Sequence, residues 1–266
     1  MKKYQGKNIL ITGSASGIGK LLATKIAAFS PASLILVDLN KEGLSELTKT
    51  LEVRTHTYSI DLQDTKAIIE MFADLQSQGI SVDILINNAG VVVGKNFEDH
   101  THENIDFTMK VNTEALMHLS LEALKMMKTK GEGHIVNIAS AAGLVSNPGM
   151  SVYCASKWAV VGWSDSLRLE MERFHPGIKV TTVLPYYINT GMFDGVKSPI
   201  IPILEPEYVA NKIIKSISKN CIFLRMPAII NFVPLLRGIL PVRIFDFFAE
   251  HIFGIYSSMK NFKGRK

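Results

Sequence analysis

Tyr153 and Lys157 stand four residues apart in a stretch with helical periodicity, so their side chains project from one face. A free phenol has a pKa near 10 and is a poor base at neutral pH. One cation about 4 Å away is worth roughly 4 kcal/mol at an effective dielectric near 20, or about three pKa units. In open water the same contact gives only about a quarter of that. A lysine beside a tyrosine in a closed crevice therefore brings the phenol into a useful acid–base range. Ser140, just after a predicted strand, adds a hydroxyl to the neighbourhood. Tyrosine and lysine at this spacing are also common on ordinary helices, so the pair needs company to carry chemistry.

That company lies near the N-terminus. Thr12-Gly13-Ser14-Ala15-Ser16-Gly17-Ile18-Gly19 follows the first predicted strand and leads into a helix. Glycines there let the backbone turn tightly and approach a pyrophosphate, whose charge a helix N-terminus favours. The spacing is Gly-x-x-x-Gly-x-Gly rather than Gly-x-Gly-x-x-Gly. Cofactor contacts are expected from Gly13, Ser16, Gly17, Ile18 and Gly19. The second predicted strand ends at Asp38, whose carboxylate suits the adenosine ribose hydroxyls and would repel a 2′-phosphate. No arginine follows it, so NAD is expected over NADP. The competing reading makes Asp38 a cap for the next helix, a task Asn40 could also serve. Asp61 and Leu62, after the third strand, are placed against the adenine, with Asp61 equally suited to capping a helix. Asn87-Asn88-Ala89-Gly90 ends the fourth strand. Small residues there (Ala89, Gly90) let adenosine lie close, and Asn88 and its neighbour could tie adjacent strands.

The elements that must hold these groups alternate in kind. Apolar runs at about 8–12, 33–37, 54–58, 82–86, 133–138, 178–183 and 221–225 read as strands. Helical stretches fill the gaps at about 17–29, 41–51, 64–77, 102–128, 151–174 and 206–218. Such alternation predicts an α/β fold: a Rossmann-type, doubly wound, seven-stranded parallel sheet with helices on both faces. Residues 1–225 are expected to form the dinucleotide-binding and catalytic domain, and 226–266 an apolar helical extension of it. The irregular stretch at 188–205 has the length of a lid or binding loop. At 266 residues, 47% apolar and 20% charged, the chain can bury a large core. Its +5 charge is diffuse, and no zinc-finger, RNP or helix-turn-helix pattern argues for nucleic acid. His100 and His102 lack metal-ligand partners, so no metal is expected. Two cysteines, Cys154 and Cys221, suit reduced, interior thiols in a cytosolic or cytosol-facing protein. With the first strand starting near Asn8, no leader or anchor is expected ahead of it.

Taken together, Thr-Gly-x-x-x-Gly-x-Gly at 12–19, Asn-Asn-Ala-Gly at 87–90, Ser140 and Tyr153-x-x-x-Lys157 resemble the short-chain dehydrogenases/reductases in order and spacing. Asn112 matches that family's fourth catalytic position. The resemblance spans about residues 6–225. It implies Tyr153 as acid/base, Ser140 as hydrogen-bond donor to the substrate oxygen, and Lys157 as holder of the nicotinamide ribose and modulator of the phenol. Asn112 would hold a water of the proton relay, and Ile188 and Thr190 would meet the nicotinamide carboxamide. It also implies a homodimer or homotetramer. One departure is Pro185-Tyr186-Tyr187, where the family has Pro-Gly after the sixth strand; the bulk should narrow the pocket.

The tail from Ile222 to Ile255 is apolar, interrupted by Arg225, Arg237, Arg243, Asp246 and Glu250, and followed by Lys260, Lys263, Arg265 and Lys266. Its charge-free run from Met226 to Leu236 falls far short of the ~20 residues that span a bilayer. Arg243, Asp246 and Glu250 share one helical stripe. Three fates remain open for it: packing on its own domain or a second subunit, lying on a membrane surface, or walling a greasy substrate site. The layout Leu204-Glu205-Pro206-Glu207, CIFLR, Pro227 and Ile239-Leu240-Pro241 is similar to the retinol and 17-beta-hydroxysteroid dehydrogenase branch, which implies a lipophilic alcohol. A sensor or scaffold that binds dinucleotide without chemistry is the rival, and it has no use for all four catalytic positions.

Overall fold

The computed structural model describes residues 3–264; Arg265 and Lys266, the last of the basic residues in the tail, lie outside the described residues. Seven parallel strands form one sheet in the order β3-β2-β1-β4-β5-β6-β7. They are β1 Asn8–Thr12, β2 Ser33–Asp38, β3 Thr55–Ser59, β4 Ile84–Asn87, β5 Gly133–Ile138, β6 Ile178–Pro185 and β7 Phe223–Met226. The central strands are apolar on both faces because both faces are covered. Ile9, Ile11, Leu34, Leu36, Ile84 and Ile86 point into one core, while Leu10, Ile35, Val37 and Leu85 point into the other. Edge strand β3, THTYS, has no such run and mixes half-buried with exposed residues.

Helices α1 Gly17–Ala27, α2 Lys41–Thr48 and α3 Thr65–Ser77 follow the first three strands. Then come α4 His102–Met109, α5 Ala115–Lys130, α6 Ser151–Phe174 and α7 Pro206–Ser218. The starts of α2, α3 and α4 carry side-chain caps. The Asn40 side chain accepts from the Gly43 N–H, Asp64 from those of Lys66 and Ala67, and Thr101 forms a reciprocal box with Asn104. β1 and β4 are neighbours, and the connection from β1 runs to β2 on one side while that from β4 runs to β5 on the other, which opens a crevice at their carboxyl ends.

Several boundaries shift by one to three residues from expectation. The third strand begins one residue late, the fourth and seventh begin two late, and the second helix ends three early. The helix expected over 102–128 is interrupted: a π-helical turn, Lys110–Glu114, separates α4 from α5, and the Ala115 N–H bonds back to the Lys110 carbonyl. Periodicity alone does not register that widening, because the apolar face continues across it.

After β7 the tail forms α8 Val233–Ile239, α9 Val242–Phe247 and a π turn Phe248–Ile252, then runs irregularly to the last described residue. Ile230 and Met259 join the cluster that contains Ile9 and Leu34, so the tail packs on its own domain. Arg237 holds α8 down: its guanidinium sits 4.7 Å over the Trp158 ring and donates to the Leu144 carbonyl at 2.7 Å. The expected polar stripe is partly turned inward, since Asp246 accepts from the Tyr256 hydroxyl at 2.8 Å.

Candidate active site

Ser140 ends the segment after β5, and Tyr153 and Lys157 sit in the first two turns of α6, which β5 feeds into the crevice. All three are brought together. The Ser140 hydroxyl is hydrogen-bonded to the Tyr153 phenol, and the Lys157 ammonium stands 5.8 Å from the tyrosine ring centroid. Lys157 also donates to the Ile138 carbonyl at 3.0 Å, which fixes its direction along the end of β5. Both Tyr153 and Lys157 are buried.

The electrostatics depart from the expectation that Lys157 pulls the phenol down. Burial pushes the Tyr153 pKa up, and the Ser140 hydrogen bond acts against that rise without overcoming it. Burial lowers Lys157 to about 8. The physical reason is that a dry pocket penalises both charged forms, and here the ammonium stands over the ring.

Asn112 lies on the π turn, fully buried. Its amide clamps the 91–96 loop: Oδ1 accepts from the Val91 N–H at 2.8 Å, and Nδ2 donates to the Val91 carbonyl at 2.9 Å and to Ser156 Oγ at 3.1 Å. The side chain is thus engaged by protein through both its oxygen and its nitrogen.

A cleft of about 290 Å³ runs from the glycine turn to Tyr153. Gly13, Ser16, Gly17 and Ile18 line its first part, Asp38, Asp61 and Leu62 one end, and Asn88, Ala89 and Gly90 its floor. Ser140, Tyr153, Lys157, Ile188 and Thr190 line the other end. Of the residues singled out by sequence, only Gly19 and Asn112 stand behind the surface. Gly19 has a packing role, because a Cβ there would overlap the Gly13 carbonyl oxygen. A Cβ on Gly13 would come within 3.0 Å of the Ala89 Cα, and its φ of +64° is in the left-handed region. No acidic residue occupies the first turn of α1, so nothing there opposes an anion. These features fit a dinucleotide whose pyrophosphate rests on the turn.

The capping alternatives are resolved. Asn40, not Asp38, caps α2; Asp38 accepts from the Ala15 N–H at 2.9 Å and from the Asn40 N–H at 3.0 Å. Asp64, not Asp61, caps α3, and Asp61 accepts from the Gln63 N–H at 2.9 Å. The asparagines do tie strands. Asn87 donates to Asn137 on β5 at 2.8 Å, and Asn88 donates to the Thr12 and Gly13 carbonyls at 2.9 and 3.2 Å.

Beyond Tyr153 a second cavity of about 430 Å³ opens. Ser140, Tyr153, Tyr186 and Phe193 line both spaces, so the reacting groups stand at the joint. Its walls are apolar, and many of them come from the tail, including Ile230, Val233, Leu240, Phe245, Phe253 and Ile255. The tail therefore takes two of its three expected fates, packing on its own domain and walling a pocket. Tyr186 and Tyr187, in place of Pro-Gly, meet edge-on at 4.6 Å, and their hydroxyls bond to Ser198 at 3.1 Å and Ser258 at 2.9 Å. Sequence reasoning missed Phe193, Asn147 and Met150 in the wall. Their only signal was membership of loops, since contact with Tyr153 depends on how those loops fold back. Cys154 is buried with its thiol pushed up by desolvation, which suits a packed neighbour rather than a reactive group.

A parallel sheet with a glycine cradle at its switch point, opening on a tyrosine with a serine and a lysine beside it, defines a dinucleotide-dependent oxidoreductase. The family profile described as short chain dehydrogenase matches residues 7–200, and the chain belongs to that family. It is 36% identical over 273 residues to epidermal retinol dehydrogenase 2 of Mus musculus, covering 100% of this chain and 88% of that protein. It is 35% identical over 246 residues to estradiol 17-beta-dehydrogenase 11 of Homo sapiens, covering 91% and 82%. A short-chain dehydrogenase/reductase from Burkholderia phymatum, solved in complex with NAD, superposes with a TM-score of 0.79 at 25% identity, covering 90% of this chain and 95% of that one. One from Sphingobium yanoikuyae, in complex with NADPH, gives 0.77 at 28% identity, covering 87% and 92%. The protein is thus an oxidoreductase acting on CH–OH groups with a nicotinamide dinucleotide.

Proposed function

We propose that this enzyme interconverts a lipophilic alcohol and its carbonyl compound using NAD, with Tyr153 as the proton-transfer residue. The observation that carries the reading is the joint: Ser140 and Tyr153 line both the dinucleotide cleft and the apolar cavity. The bound nicotinamide supplies the hydride acceptor or donor. Ser140 donates a hydrogen bond to the substrate oxygen and orients the carbinol carbon. Tyr153 takes the hydroxyl proton as the C–H bond breaks, and returns it when the reaction runs as a reduction. Lys157 holds positive charge beside the developing phenolate and reaches the ribose edge of the cleft. The Asn112 backbone carries the water through which the proton leaves. Asp38 favours NAD, because a 2′-phosphate beside its carboxylate meets repulsion. The retinol and estradiol dehydrogenases among the relatives support a greasy alcohol, as does the cavity lining.

The test is a panel of apolar primary and secondary alcohols with NAD, followed by nicotinamide absorbance. Tyr153→Phe should lower turnover about 10²–10⁴-fold while leaving dinucleotide affinity unchanged. Tight NAD binding with no turnover across the panel would instead favour a dinucleotide sensor.

We further propose that the enzyme makes peripheral contact with a membrane through its C-terminal segment. No helix of the described residues is long and apolar enough to cross a membrane. Yet α8, α9 and their flanks expose Phe232, Leu235, Ile239, Val242, Ile244 and Phe247 at 45–74% of full accessibility, with Arg243 beside them. Exposed Leu121, Leu169 and Phe174 on α5 and α6 suit a homodimer or homotetramer. Two free cysteines fit a cytosol-facing site. The tail, sharing the sheet's core, is read as an extension of the one domain.

A further inference from the structure

We infer that the C-terminal strap, residues 254–264, is a positioning element of the active site, and that Phe262 holds the 191–198 loop against Tyr153. The inference rests on the reading of Tyr153 as the acid–base residue. Three loops rim the reacting groups, and each meets the strap at a glycine. A Cβ on Gly94 would overlap the Phe262 ring, one on Gly195 would overlap the Asn261 carbonyl oxygen, and one on Gly149 would lie 3.5 Å from the Met259 Cβ. Missing side chains at these points are what lets the strap lie flat on the loops.

Direct bonds accompany the close fit. The Lys263 N–H donates to the Asp194 carbonyl at 2.9 Å, and the Lys197 N–H donates to the Ser258 carbonyl at 3.2 Å, so strap and loop are pinned at two places. Ser258 is buried, and its hydroxyl meets Tyr187 Oη at 2.9 Å while accepting from Asn147 Nδ2 at 2.9 Å. That joins the strap to the loop after β5 and to the end of β6.

An aromatic chain carries the effect inward. Phe262 lies 6.5 Å from Phe193, and Phe193 meets the Tyr153 ring edge-on at 5.8 Å and the Tyr187 ring at 5.0 Å. Phe193 lines both cavities, so its position sets the width of the passage at the reacting carbon and the closure of the nicotinamide end. Phe262 touches neither reactant. It acts through Phe193.

The experiment compares the full-length protein with Phe262→Ala, Phe262→Leu and Gly94→Ala, by amide hydrogen exchange and steady-state kinetics. In Phe262→Ala the amides at 194–197 should exchange about tenfold faster, while those of β1 stay protected. KM for both NAD and alcohol should rise about fivefold with kcat within about twofold, and bulky alcohols should gain on slim ones. Phe262→Leu, which keeps bulk, should restore most of the loop protection. Gly94→Ala, whose new methyl group would press on the Phe262 ring, should loosen the same amides, and adding Phe262→Leu to it should relieve the effect. Unchanged loop exchange in Phe262→Ala and Gly94→Ala, or a uniform loss of protection across β1 as well, would overturn the inference. If the wild type turns over no alcohol, the reading of Tyr153 fails separately and the exchange data alone decide whether the strap clamps the loop.

Discussion

At the scale of the residue, the tyrosine is under opposed influences. Burial raises it and the Ser140 bond lowers it, so the free protein stores Tyr153 as a neutral phenol. Oxidation needs the deprotonated phenol and the protonated Lys157 together; reduction needs the phenol intact. The competent form should therefore gain with pH up to about 8, where Lys157 loses its proton, and level off above that, because the raised phenol ionises only at higher pH. A pH profile of kcat/KM for oxidation should rise and then flatten near pH 8, and the reduction profile should lack the rising limb. Asp38 has two tasks at once, the Ala15 N–H and the ribose end of the cleft. Asp38→Ala should cut the ratio of NADP to NAD dissociation constants about tenfold, measured by calorimetric titration, and cost about 1–2 kcal/mol of stability from the orphaned amide.

At the scale of the element, β5 illustrates what a parallel strand demands. His134 is fully buried on it, with Nε2 bonded to Thr181 Oγ1 at 2.8 Å, and burial depresses its pKa to about 3. A folded pKa below the unfolded value of ~6.5 means that the unfolded chain binds the extra proton first. Stability should thus be intact above about pH 6.5 and drain away as pH falls toward 3, by at most about 5 kcal/mol from this group. Urea unfolding at several pH values should show that slope, and His134→Gln should flatten it. The helix expected over 102–128 is the matching lesson for helices. Its composition was legible, but the π turn carries Asn112, whose buried amide is held by Val91 and Ser156, partners 21 and 44 residues away.

At the scale of the whole molecule, the tail gives the enzyme an apolar pocket on one side and an apolar collar on the other. Ile229, Leu236 and Phe248 belong to both, being cavity wall and 40–43% exposed. Full-length protein should sediment with anionic vesicles, and replacing Phe247 and Ile239 together by serine should weaken that partition by about tenfold or more without lowering thermal stability, because both side chains are exposed.

The local order of residues was enough to specify the strand–helix alternation, the glycine cradle after β1, the acid at the end of β2 and the Tyr153–Lys157 face, since each depends on neighbours within a turn or a strand. Asn40 as the true cap of α2 and the ties made by Asn87 and Asn88 were within reach of the same reasoning. What only the tertiary structure decided is who stands next to whom across the chain: Phe193 against Tyr153, Ser258 against Tyr187, Arg237 over Trp158, and a tail that walls the pocket. Burial belongs to that second kind. Burial raises the Tyr153 phenol against the lowering expected from Lys157, because the dielectric around a side chain is a property of the packed whole.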